Sequence, residues 1–249
     1  MRVTVIKVGG RLCEEPEARA RLARASAALA TPLVLVHGGG AQVSRLQRAL
    51  GLEARFAGGR RVTGIEDLEV VEMALSGSVN KALVRALAAA GRPAVGLSGA
   101  DGGLLACDFV AELGRVGTPS AADPRVLAAL LGAGFTPVVS PVSSGPDGQA
   151  VNVNADEMAC ALAVALGAER LLLLSDVAGV VVEGEAREVV AGDEVEALIA
   201  AGQVTGGMIP KLRAAAAAVA GGVGEVRIAD FNGVPLADIA GTRIRRGTR

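Results

Sequence analysis

Val3-Thr4-Val5-Ile6-Lys7-Val8-Gly9-Gly10 and, one helical pattern later, Pro32-Leu33-Val34-Leu35-Val36-His37-Gly38-Gly39-Gly40 decide the architecture. Each begins as a run of β-branched and aliphatic residues, the pattern of a strand buried on both faces. Each ends in glycines that open onto a helical pattern, about Glu14 to Leu29 after the first and Ala41 to Leu50 after the second. Strand, glycine turn and helix, repeated, is the mark of βαβ units and so of an α/β fold. Such turns at the carboxyl ends of parallel strands are where these folds bind ligands. Glycine lets backbone approach closely, and helix N-termini favour anions. One glycine turn is equally well explained as a tight chain reversal; two in the same relation to their strands point to a shared site. Neither turn is a Walker A or a GxGxxG motif.

The rest of the chain extends the pattern. Gly51 to Thr63 reads as irregular, and Ile65 to Gly91 as a helix interrupted near Gly77. Ala94 to Leu97 is a short strand, Ser98 to Gly103 a turn, and Leu104 to Val116 hairpin material. A helix over Asp123 to Ala133 and a strand over Thr136 to Ser140 lead to a turn at Gly145 to Gly148. A helix from Asp156 to Leu166 and a buried strand from Glu169 to Leu174 come next, the latter ending in Ser175-Asp176-Val177. Val180 to Val190 predicts a hairpin around Glu183-Gly184, and Asp193 to Ala200 a helix. Gly206-Gly207-Met208-Ile209-Pro210-Lys211 opens an Ala-rich helix, with Pro210 acceptable in a first turn. Glu225 to Ala229 and Gly241 to Ile244 are the last strands. A boundary near Gly167 divides an N-terminal lobe, residues 1–167, from a C-terminal lobe, residues 168–249, on one sheet.

Composition narrows the chemistry. At 249 residues and 51% apolar, the chain can bury a large core; its net charge of −1 argues against nucleic acid or an anionic membrane as partner. With no Trp or Tyr, a base-stacking surface is not expected. No apolar run reaches membrane-spanning length, and the N-terminus reads as a strand rather than a signal peptide. Cys13, Cys107 and Cys160 lack metal or CxxC spacing, which fits a reducing cytoplasm. His37 is the single histidine, so histidine acid–base chemistry has one candidate. Only three of 25 basic residues are lysines: Lys7, Lys81 and Lys211. An ammonium is a compact charge where a guanidinium is a planar fork, and a lysine kept in an Arg-rich chain invites a question.

Val151-Asn152-Val153-Asn154-Ala155-Asp156-Glu157 carries three polar side chains at alternate positions, so an extended entry into the helix brings Asn152 and Asn154 to one side. Asn154 as N-cap with Glu157 three residues on reads as a capping box. Capping accounts for those two residues, leaves Asn152 unexplained and gives Asp156 only a mild role at the helix dipole. Lys7 and Lys211 both lie beside glycine turns, and Asp156 between two ammonium groups would fix both. Arg61 is either a surface charge or a fork for a carboxylate, and side-chain amides suit an amide or amine. Phosphoryl transfer needs mainly positioning and charge neutralisation. A carboxylate acceptor, with a pKa of about 4, is already ionised at neutral pH and needs no base.

Lys7-Val8-Gly9-Gly10, His37-Gly38-Gly39-Gly40, Arg61-Val62-Thr63, Asn152-Val153-Asn154-Ala155-Asp156, Ser175-Asp176-Val177 and Gly206-Gly207-Met208-Ile209-Pro210-Lys211 resemble, in order and over nearly the whole chain, the amino acid kinase family, and within it the members that phosphorylate N-acetyl-L-glutamate. The resemblance implies a three-layer αβα sandwich around an open, mainly parallel eight-stranded sheet, of the amino acid kinase or carbamate-kinase-like kind. It implies N-acetyl-L-glutamate in the N-terminal lobe, which would also carry the dimer contact, and ATP in the C-terminal lobe. Lys7 and Lys211 would stabilise the transferring phosphoryl group, and Asp156 would orient both. Gly39 and Gly40 would offer N–H groups on the substrate side, Arg61 would grip the α-carboxylate, and Asn152 and Asn154 the rest of the α-amido end. Gly9, Gly10, Ser175, Asp176, Gly207 and Met208 would line the nucleotide side. Mg²⁺ would be held by phosphates and water, with no protein ligand. The product would be an acyl phosphate on the way to arginine. His37 reads as structural and Lys81 as a surface or interface charge.

Arginine-inhibited members resemble this chain but carry an extra N-terminal helix that joins dimers into a hexamer. With a first strand starting at about Val3, the expected form is a homodimer without that feedback. Two rival readings remain: a sister kinase acting on α-aminoadipate or glutamate attached to a carrier protein, and a non-catalytic amino-acid or nucleotide sensor.

Overall fold

The computed structural model describes residues 2–247. Eight strands form one sheet: β1 (Thr4–Val8), β2 (Leu33–His37), β3 (Ala94–Ser98), β4 (Thr136–Ser140), β5 (Arg170–Ser175), β6 (Val189–Ala191), β7 (Glu225–Asp230) and β8 (Thr242–Arg245). Their spatial order is β6-β8-β7-β5-β1-β2-β4-β3. All neighbours are parallel except β7 and β8. The chain starts in the middle of the sheet and winds outward first through β2, then through β5, so the crevice at the carboxyl ends of β1 and β5 is the topological switch point where ligands of such sheets sit.

The side-chain period of two sorts the strand residues onto two faces. Ile6, Val8, Leu33, Leu35, Leu172 and Leu174 pack under Pro16–Ala27 and Asn80–Ala89. Val5, Val34, Val36, Leu171, Leu173, Val226 and Ile228 pack on the opposite face, under Ala155–Ala165 and Met208–Ala220. Lys7 follows Val5 on that second face, paired in register with Val36 and Leu173, which sends its ammonium towards the starts of those two helices.

A small closed barrel of Leu105–Phe109, Val116–Ala122, Val142–Ser144 and Ala150–Val153 sits beside the sheet and carries Asn152. The expected hairpin around Glu183-Gly184 forms, with both residues at positive φ. Three boundaries differ from expectation. The first helix is broken before Pro16 into Arg11–Glu14 and Pro16–Ala27, because the residue before a proline is driven out of helical conformation. Gly51 to Thr63 is ordered at its end into a hairpin, Arg55–Ala57 with Arg60–Val62, turned by Gly58 and Gly59 at positive φ. The interruption near Gly77 is a π turn, Met73–Val79, between Ile65–Glu72 and Asn80–Ala89. No helix among the described residues is long and apolar enough to cross a membrane.

Candidate functional site

Lys7 Nζ and Lys211 Nζ meet one oxygen, Asp156 Oδ1, at 3.1 and 2.7 Å. All three side chains are nearly dry, 12%, 7% and 10% exposed in the order Lys7, Lys211, Asp156. Burial alone would raise the Asp156 carboxyl, but the two lysines outweigh it and hold it at about 2. Burial, with Lys7 nearby, pushes the Lys211 ammonium below its ordinary value despite Asp156. Two lysines around one carboxylate make the cluster formally positive in a place with little water, which is where an anion gains most. Gly40–Ala49, Ala155–Ala165 and Met208–Ala220 all begin here, adding the positive ends of three helix dipoles.

Two cavities meet at the cluster, and Lys7 and Asp156 line both. The first, of about 210 Å³, is bounded by Gly38, Gly39, Gly40, Arg61, Asn152 and Asn154. Arg61 is buried; Nη2 donates to the Gly40 carbonyl at 2.8 Å and Ser44 Oγ at 2.7 Å, and Nη1 to Gln47 Oε1. The guanidinium lies over the Phe56 ring, 4.7 Å from its centroid. Nε–H and one Nη1 proton remain to donate. Asn154 Oδ1 accepts from the N–H groups of Asp156 and Glu157, at 2.8 and 3.2 Å. The cap consumes the amide oxygen and leaves the amide protons to the cavity, so capping and ligand binding use opposite ends of one side chain. Asn152 Nδ2 donates to Thr63 Oγ1 at 3.1 Å, which leaves its oxygen as acceptor. Gly39 has φ 143, and a Cβ there would stand 2.7 Å from Leu75 Cδ2; glycine is what lets the backbone close on this cavity.

The second cavity, of about 460 Å³, is lined by Gly9, Gly10, Ser175, Asp176, Gly207, Met208 and Lys211. A Cβ on Gly10, at φ 50, would fall 2.2 Å from Asp176 Oδ2. Asp176 Oδ1 accepts from Arg11 Nε at 3.1 Å, and Arg11 Nη2 reaches Asp230 Oδ1 at 2.8 Å. These three side chains are 45%, 54% and 32% exposed in the order Arg11, Asp176, Asp230.

The two cavities thus bring together every residue that the resemblance places at the site, while one local reading differs. Glu157 does not complete a capping box. Its Oε1 accepts from Arg60 Nη2 and its Oε2 from Thr118 Oγ1 at 3.4 Å, because the hairpin and the barrel strand put stronger donors within reach than the backbone N–H of Asn154. His37 is fully buried. Nδ1 donates to the Gly38 carbonyl at 2.7 Å, and Nε2 accepts from Asn80 Nδ2 at 3.2 Å. Burial lowers the imidazole to about 4, which suits a neutral strut. Lys81 Nζ is tied to Asn80 Oδ1 at 3.1 Å and the Gly96 carbonyl at 3.3 Å, away from both cavities. Sequence reading passed over Gln47 and Asp67: Gln47 Nε2 donates to Asp67, which also accepts from Gly64 N at 2.9 Å. A glutamine on the buried face of Gly40–Ala49 was the available signal. A wider cleft, about 700 Å³, lies beyond Arg60 and Glu157, with Ala161, Ala214, Ala217 and Ala218 of two helices on its wall; its charges, Arg60, Glu157 and Arg213, are paired off with carboxylates or a guanidinium, so size alone would misplace the site.

A sequence model of the amino acid kinase family matches residues 2–230. The chain is 46% identical to a Roseiflexus protein named acetylglutamate kinase, over 92% of this chain and 89% of that one. It is 48% identical to the Rubrobacter xylanophilus protein of that name, over 90% and 87%. A crystal structure of a Streptococcus mutans protein superposes with a TM-score of 0.84 at 30% identity, covering 98% of each chain.

Proposed function

We propose that this chain, which belongs to the amino acid kinase family, is an ATP-dependent kinase that phosphorylates the γ-carboxylate of N-acetyl-L-glutamate, in arginine biosynthesis. The observation that carries the reading is the meeting of two cavities at Lys7 and Asp156, with Lys211 on the same carboxylate. A phosphoryl group in transit between an acceptor in one cavity and a nucleotide in the other passes beside two ammonium groups that are already fixed. The relatives named acetylglutamate kinase supply the substrate.

In the first cavity Arg61 faces the α-carboxylate, the Asn154 amide donates to the acetyl carbonyl, and the Asn152 oxygen accepts the amide N–H. The γ-carboxylate oxygen attacks the γ-phosphorus of ATP in line. The bond from that phosphorus to the β,γ-bridging oxygen breaks, and ADP leaves with the electron pair. The products are N-acetyl-L-glutamyl 5-phosphate and ADP. No proton moves, because the acceptor is already ionised, which suits a site without an acid–base residue. Lys7, Lys211 and the N–H groups of the Gly9-Gly10 and Gly39-Gly40 turns meet the charge on the transferring oxygens. Ser175, Asp176, Gly207 and Met208 line the nucleotide side. Mg²⁺ arriving with the nucleotide would supply further charge neutralisation. Asp156 Oδ1 is already engaged by two lysines, so the ion would be held by phosphates and water.

The lobe assignment, 1–167 for acetylglutamate and 168–249 for ATP, is part of the proposal: the first cavity is lined wholly from 1–167, and the second from 168–249 together with Lys7, Gly9, Gly10 and Asp156. A cytoplasmic homodimer completes it. Buried, unpaired Cys13, Cys107 and Cys160 support the compartment. The half-exposed edge strand β3, with Ile65 77% and Met73 54% exposed on the adjacent helical run, supports the dimer.

Hydroxylamine trapping of acyl phosphate tests the reading, with MgATP and N-acetylglutamate, glutamate, aminoadipate or a carrier-linked substrate. Hydroxamate from N-acetylglutamate alone is expected. Signal only from a carrier-linked substrate moves the enzyme to the sister reaction, and none from folded, ATP-binding protein makes it a sensor.

A further inference from the structure

Arg60 and Arg61 are neighbours in one short strand, so their side chains leave on opposite faces. Arg61 goes into the first cavity. Arg60 turns to Glu157 on the helix that also carries Asp156, where it lines both the first cavity and the wider cleft. On the Arg61 side the hairpin is tied to Gly40, Ser44 and Gln47 by that guanidinium; on the opposite side Arg60 is its one side-chain tie among the described residues. Each strand is three residues long, Arg55 to Ala57 is exposed throughout, and an isolated two-stranded hairpin is marginal in water. Its base is pinned by Thr63 N to the Leu113 carbonyl at 3.0 Å and Arg115 N to the Thr63 carbonyl at 2.7 Å. At its tip even an added Cβ would meet nothing within 4 Å at Gly58 and only Pro210 Cγ, at 3.9 Å, at Gly59.

We propose that the Arg60–Glu157 ion pair is a positioning device for the acceptor. It holds the Arg55–Val62 hairpin closed over the first cavity and so sets the distance between Arg61 and Asp156. The pair is suited to this. It is 26% and 16% exposed, dry enough for a directed charge-assisted bond and wet enough to open. The second Glu157 oxygen is steadied by Thr118 of the barrel, so the carboxylate is oriented before the arginine arrives. Glu157 follows Asp156 directly in the first turn of Ala155–Ala165, and the latch and the lysine cluster therefore share one rigid base. The ligand-binding hairpin and the phosphoryl-transfer centre are otherwise separated by 97 positions of chain.

This rests on the function proposed above, and its test separates the two. Arg60→Leu and Glu157→Gln are compared with the unchanged protein in the hydroxamate assay and by hydrogen exchange of the amides in residues 55–62. Each variant is expected to raise the KM for N-acetylglutamate about tenfold, with kcat and the KM for ATP changing less than about threefold. Hairpin exchange is expected to accelerate by a similar factor, and Tm to stay within a few degrees. Arg60→Lys, which keeps the charge, should fall between. The exchanged pair, Arg60→Glu with Glu157→Arg, should recover most of the lost affinity. Unchanged hairpin exchange, unchanged KM for N-acetylglutamate, or equal losses in kcat and both KM values would overturn the latch. Failure of the unchanged protein to make hydroxamate would overturn the functional reading alone, since hairpin exchange is measured without any substrate.

Discussion

Two charge triads stand on either side of the second cavity and are near inverses. At its inner end one carboxylate, Asp156, lies between two lysines; at its rim one arginine, Arg11, lies between two carboxylates, Asp176 and Asp230. Their contact distances match, 2.7 and 3.1 Å inside against 2.8 and 3.1 Å outside. What differs is water: the inner groups are at most 12% exposed, the outer ones at least 32%. Geometry alone would rate the two alike. The dielectric separates them: inside, each charge depends on its partners, and outside, solvent replaces a partner at little cost.

Four measurements put that contrast at risk. Asp156→Asn should have the largest effect, because it leaves two buried ammonium groups facing each other. A loss of about 3–5 kcal/mol is expected in urea unfolding, together with loss of turnover; a change no larger than that of a surface variant would show that the inner triad is not dry. Next, Lys211→Ala should lower kcat about 10²–10³-fold with little change in the KM for N-acetylglutamate, since its charge is needed chiefly at the transition state. Steady-state kinetics that put the loss in KM would reassign it.

Acid stability comes third. The Asp156 carboxyl is held at about 2 when folded, against about 3.9 in an unfolded chain. A depressed carboxyl contributes stability above its unfolded value and loses it as pH falls through the folded one. On the order of 2 kcal/mol should therefore disappear between about pH 4 and pH 2, and the Asp156→Asn protein should lack that increment in a pH series. Smallest is Arg11→Ala, whose Tm should stay close to that of the unchanged protein, with any shift shrinking in high salt. A large, salt-insensitive loss would mean that the outer triad is shielded as well.

The same contrast governs how much was legible in the sequence. The sheet was readable because Val3–Val8 and Leu33–Val36 are apolar at nearly every position, which few structures but a central parallel strand can use. Lys7, Asp156 and Lys211 were readable because each adjoins a turn or cap with its own local signal. The Arg55–Val62 hairpin was not legible: its strands are three residues each, one exposed throughout and the other burying a charged Arg61, and neither has apolar alternation to detect. Glu157 was read as half of a capping box because local pattern cannot weigh a partner 97 positions away. Arg11, Asp176 and Asp230 form a cluster across separations of 165 and 219 residues, and only the strand order makes them neighbours. Polar partners chosen by tertiary proximity leave no periodicity.

The π turn at Met73–Val79 has a consequence for chain length. A wide turn of this kind takes up an extra residue in place, so the helical segments on either side are phased independently. Ile65–Glu72 is indexed to the barrel and Asn80–Ala89 to the sheet. Removing one residue inside the wide turn would leave both phases intact. Removing one from within Asn80–Ala89 would rotate the remainder of that helix by about 100° and swing Leu87, buried to 1%, off the core. Along this stretch a single-residue deletion is tolerable within Met73–Val79 and forbidden within the helices on either side.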